Sequence, residues 1–133
     1  PAADAPTESD ESTLSAPVAE PGSTKVPLID IAWGRSGDKG NHANIGIIAR
    51  RPEFLPYIRQ ALQPAIVADL FKHYAPAEVR RFDLPGIHAL NFMLYDVLGG
   101  GGLAALRNDP QGKGYAQILL GVEIAVPSDL LRP

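Results

Sequence analysis

The residues best equipped for chemistry stand together in one run, Gly34-Arg35-Ser36-Gly37-Asp38-Lys39-Gly40-Asn41-His42-Ala43-Asn44-Ile45-Gly46. Gly34, Gly37 and Gly40 are evenly spaced, and glycine reaches positive φ without a side-chain clash, which brings backbone N–H groups into the open. Arg35, Lys39 and His42 add donors and positive charge. The run therefore predicts an anion site bound by Arg35, Ser36, Gly37, Gly40, Asn41 and Asn44, with Asp38, Lys39 and His42 available for acid–base work. It is not a nucleotide phosphate loop: Lys39 is followed by Gly rather than Ser or Thr, and a β-branched run follows, so no helix dipole is at hand. The same residues also fit a plain hairpin loop in which Asp38 and the asparagines satisfy their own backbone and Lys39 is solvated. No nucleophile is paired with an orienting group, so catalysis by this chain alone is the weakest reading.

A second cluster is Gly99, Gly100, Gly101 and Gly102, leading through Leu103 to Leu106 towards Arg107, Asp109 and Lys113. Glycines before a short helical run resemble a cradle for a ligand or a neighbouring chain, although a helix cap and linker would read the same way. Arg50-Arg51 and Arg80-Arg81 read as solvated strand ends. His42, His73 and His88 lack close ligand spacing, and the absence of Cys removes thiolate ligands and nucleophiles, so no metal site is expected.

These residues must be positioned by a small chain of 133 residues, 45% hydrophobic and 20% charged, which is enough for one domain. Residues 1–24 hold four prolines and five acids but no base or aromatic, and read as a disordered acidic tail. The initiator Met is expected to have been removed, or the chain to begin late. The remainder carries 12 basic and 10 acidic residues, which gives no charge-based case for nucleic acid. The longest apolar stretch, Ile118 to Val122, falls far short of the roughly 20 residues of a membrane helix, so a soluble chain is expected.

Val26–Trp33 and Ile45–Ala49 predict strands joined by the Gly-rich segment as a loop. Phe54–Leu62 and Pro64–Tyr74 predict two short helices or one kinked helix. Val79–Leu84 predicts a strand, His88–Leu98 a helix capped by the glycine run, and Ala116–Val126 a final apolar strand. The order implies an α+β fold, a mixed four-stranded sheet with helices on one face. The second sheet face then needs cover from another chain, with Trp33, Phe82 and Tyr115 as aromatic anchors.

Ala32 to Arg50, AWGRSGDKGNHANIGIIAR, resembles the RSGDKGxxANIGxIAR signature of the acyclic terpene utilisation protein A (AtuA) family. Leu90-Asn91-Phe92, the LGGGG of Leu98–Gly102 and the DPQGK of Asp109–Lys113 recur there in the same order. The resemblance runs from about Leu28 to Val126 and is to the small C-terminal ferredoxin-like domain, here without the large N-terminal one. It implies a ferredoxin-like two-layer sandwich over residues 25–133, and the absence of Cys fits a reducing, cytoplasmic setting. The resemblance further implies a non-catalytic or co-catalytic small subunit in acyl-CoA or terpenoid catabolism, with a coenzyme A thioester as substrate. The implied partner is a large AtuA-type subunit or a second copy. The alternative is a freestanding, self-associating scaffold or small-ligand-binding domain.

Overall fold

The computed structural model describes residues 7–8, 22–39, 42–74, 76–96 and 114–132. In chain order they form β1 (Thr7–Glu8), β2 (Ser23–Pro27), β3 (Ala32–Lys39), β4 (His42–Ala49), α1 (Leu55–Ala61), α2 (Pro64–Leu70), β5 (Glu78–Leu84), β6 (Ala89–Tyr95), α3 (Gly114–Leu120) and β7 (Glu123–Pro127). The main sheet runs β1-β5-β6-β4-β3, and β2 pairs with β7 apart from it. The α+β class holds, while the mixed sheet expected from the sequence is antiparallel at every pairing.

Side chains alternate along strands, which gives this sheet two unlike faces. Ile45 and Ile47 of β4, Leu90, Phe92 and Leu94 of β6, and Arg81 of β5 are buried on one of them. That face carries the helices: α3 lies on β3 and α2 on β5, while α1 reaches β7. The opposite face carries Trp33, Arg35 and Gly37 of β3, then His42, Asn44, Gly46 and Ile48 of β4, then Asn91, Met93 and Tyr95 of β6. All of these are half-buried or exposed.

The helices follow the expected spacing, with Ile58, Ala61 and Leu62 buried along one stripe. Pro64 settles the choice between one helix and two: the residue before a proline is driven extended, and Gln63 sits at φ −67°, ψ 150°. Arg81 is fully buried rather than a solvated strand end; its guanidinium donates to the carbonyls of Arg59 (2.9 Å) and Leu62 (3.2 Å), satisfying the end of α1. Arg59 in turn forks onto Asp83 at 2.9 and 3.2 Å.

Four expectations are corrected. Val26–Trp33 is not one strand: a 3-10 turn at Leu28–Asp30 breaks it, closed by Ile31 N–H on Leu28 O (2.9 Å), and hands the chain from the small sheet to the large one. The Gly-rich segment is not a loop but the two strands of the β3/β4 hairpin, paired from Ala32↔Ala49 to Lys39↔His42. The expected helix His88–Leu98 is a strand over its described part: Leu90, Phe92 and Leu94 alternate between β4 and β5, an environment that overrides the helical spacing. Ala116–Val126 is helix α3 followed by β7, because Tyr115, Ala116, Leu119 and Leu120 bury a helical stripe and the chain turns at Gly121.

Two residues of the acidic segment form β1 along the outer edge of β5, with Thr7 opposite Asp83 and Glu8 opposite Phe82, and β2 begins at Ser23, inside the expected tail. A strand edge offers unpaired backbone groups even to a polar segment. The central strand β6 is flanked by two residues in left-handed backbone, His88 (φ 53°) and Asp96 (φ 51°). No helix among the described residues is long and apolar enough to cross a membrane.

Candidate functional site on the open sheet face

The hairpin sorts the signature residues by parity. Arg35 stands opposite Gly46, and Gly37 opposite Asn44, so two glycines and two polar side chains form a checkerboard on the open face. Over it lies an open hollow of about 350 Å³ lined by Arg35, Ser36, Gly37, Asn44 and Gly46. The two glycines lie on one diagonal and form the floor; Arg35 and Asn44 lie on the other and form the walls.

Asn44 is held in place. Its Nδ2 donates to Asn91 Oδ1 on β6 (3.2 Å), and its Oδ1 sits over Gly37, where an added Cβ would come within 3.1 Å of it. Arg35 is exposed and makes no hydrogen bond or ion pair with another described residue. The arrangement can therefore offer a guanidinium from one wall and an amide oxygen from the other across a floor without side chains.

Of the residues expected to bind, the structure brings Arg35, Gly37 and Asn44 together on one face, while Ser36 borders the hollow from a position of the opposite parity, across from the buried Ile45. Gly40, Asn41 and Gly99 to Gly102 lie outside the described residues, as do Arg107, Asp109 and Lys113. Asp38 and Lys39 are placed by their backbone, opposite Ala43 and His42 at the far end of the hairpin. Gly34 and Gly37 do not adopt the positive φ expected of them; among the described glycines only Gly22 does. Gly34 faces the helices instead, where an added Cβ would meet three carbons of the Leu120 side chain at 3.0–3.2 Å. It is a packing residue, not a ligand residue.

His42 lies on the open face, two residues from Asn44 and four from Gly46, hence about 7 and 13 Å along the strand. Its Nδ1 accepts the backbone N–H of Asp96 (3.1 Å), and its ring meets Tyr95 edge-on at 5.3 Å. That bond makes Nδ1 the acceptor and so leaves Nε2–H as the donor of the neutral ring. The Asp96 carboxylate, 3.9 Å from Nδ1, is a loose neighbour.

Sequence reasoning missed Gly46 and Asn91 as members of the site. The signal for Gly46 was the alternation itself: Arg35 and Gly37, then Asn44 and Gly46, share parity once the segment is read as strand. Asn91 stands in the Leu90-Asn91-Phe92 motif, but its place beside Asn44 comes from the pairing of β6 with β4. Of the expected aromatic anchors, Trp33 is half-exposed (50%) beneath the Arg50 guanidinium (4.7 Å) and Phe82 is partly buried. Tyr115 is buried against Phe71 in the core and cannot serve as one.

No curated protein and no solved structure matches this chain. The family model described as the AtuA ferredoxin-like domain matches residues 26–125, which takes in the hairpin, the open face and both sheets apart from β1 and the outermost residues of the β2/β7 pair. The chain with this checkerboard on the sheet face away from its helices belongs to the AtuA ferredoxin-like domain family.

Proposed function

We propose that this chain acts as the small subunit of an AtuA-type assembly that processes acyl-coenzyme A thioesters, lending its open sheet face to a site shared with a large subunit. The observation that supports it is the joint exposure, on one face, of the Arg35 guanidinium, unpaired among the described residues, over a glycine floor and of the half-exposed Trp33 beside Ile48. A hollow with a charged wall next to an apolar shelf suits a ligand pocket with a rim on which a partner closes.

A second reading, self-association, draws on β3, an eight-residue strand at the edge of the main sheet. Co-expression with a large AtuA-type protein separates the two. The first reading expects co-purification that is lost when Trp33→Ser and Arg35→Ala are combined, with the thermal midpoint little changed. A chain that fails to retain the large protein and sediments as a dimer would replace it with the second, and a strictly monomeric chain that retains nothing would sink both.

A further inference from the structure

The two walls of the hollow make opposite demands on whatever lies between them. Arg35 has only donors, so the ligand must present an acceptor on that side. On the other side, Asn44 Nδ2 turns to Asn91 Oδ1 and Asn44 Oδ1 overhangs Gly37, so the Asn44 atom over the floor is an acceptor that a ligand donor complements. The floor demands flatness, because nothing rises from Gly37 or Gly46. A trans secondary amide is planar, with its carbonyl and its N–H pointing to opposite sides. A carboxylate would satisfy Arg35 but offers no donor to Asn44 Oδ1, so an amide complements both walls where an anion complements one.

Gly46 adds an independent argument. Glycine in the middle of a strand is destabilising relative to alanine. At Gly34 the helix demands it, but at Gly46 an added Cβ would come no nearer than 4.0 Å to Arg35 O and Asn91 Oδ1, ordinary contact at a backbone without positive φ. No described residue requires a glycine there, and such a position marks close approach from outside.

We infer that the diagonal trough from Gly37 to Gly46 binds a secondary amide, its carbonyl oxygen on Arg35 and its N–H on Asn44 Oδ1, with Asn91 as the residue that fixes the Asn44 amide. Resting on the reading above, the amide belongs to the pantetheine arm of a coenzyme A thioester; a peptide strand would carry the same group.

The test is an NMR titration of the full-length chain, following the Gly37 and Gly46 amides and the Asn44 side-chain NH₂. The probes are pantetheine, pantoate (the acid without the amide) and N-acetyl-dialanine methylamide. Saturable shifts with pantetheine, at least about tenfold weaker with pantoate and the peptide, are expected. Gly46→Ala, which fills the trough without strain, and Arg35→Met should each weaken pantetheine by about tenfold or more while keeping the folded spectrum. No saturable shift with pantetheine, equal binding of pantoate, or undiminished binding by Gly46→Ala would each overturn the assignment; preference for the peptide would overturn its pantetheine source. Because the lone chain is used, failure here leaves co-purification with the large subunit free to succeed, and the reverse.

Discussion

Gly34 and Gly46 belong to the same hairpin, on neighbouring strands, and answer to opposite faces of one sheet. On the covered face, glycine is dictated from within: Leu120 of α3 lies where a Cβ would go. On the open face, the fold would accept a methyl group at Gly46. The comparison separates residues that hold the molecule together from residues that serve something outside it, a distinction that residue type alone does not make. Arg81 and Arg35 repeat the lesson with charge: one is sealed under the helices against two carbonyls, the other stands exposed beside a hollow.

The largest effect expected from breaking this contrast is at Arg81. Arg81→Met keeps much of the side-chain volume but strips the carbonyls of Arg59 and Leu62 of their donor, and should cost about 3 kcal/mol in urea unfolding. A loss under about 1 kcal/mol would mean that those carbonyls find other partners.

Next come the two glycines. Gly34→Val drives a branched side chain into Leu120 and should destabilise by about 1–3 kcal/mol, with partial recovery when Leu120→Ala is added. Gly46→Ala should be neutral or stabilising by up to about 1 kcal/mol. Equal losses at both positions would erase the distinction between the faces.

The smallest effect lies off both faces, at Glu53. Its carboxyl is held below the usual carboxylate range by the Arg51 side-chain hydrogen bond (3.0 Å), helped by its own backbone N–H. A pKa lowered by folding stabilises above the ordinary value, and that contribution disappears as pH falls through the lowered one. Carboxyl NMR should find Glu53 titrating low and moving up in Arg51→Ala, with no change at the hollow.

The sequence was most legible where a period had no competitor. Ile58, Ala61 and Leu62 marked α1, Pro64 marked the start of α2, and Val79–Leu84 was a strand by alternation. It misled where an apolar run was short. In β6 the set Leu90, Met93, Leu94 suits a helix and Leu90, Phe92, Leu94 a strand, and only the flanking strands decide. In α3 the alternating Ile118 and Leu120 concealed the helical set Tyr115, Ala116, Leu119. The site was half legible for the same reason: composition drew attention to Arg35, Gly37 and Asn44, but treating the glycines as loop residues hid the parity that divides Gly34 from Gly37 and adds Gly46.

The left-handed residues at either end of β6 act together as a ruler. A slip of one residue would put Ile87 and Tyr95 into the backbone that His88 and Asp96 now occupy, at roughly 1–2 kcal/mol apiece, and would carry Phe92 from the core to the water. The strand that sets Asn91 against Asn44 is thus indexed from both of its ends, so that the alignment of the trough depends on two stops lying outside it.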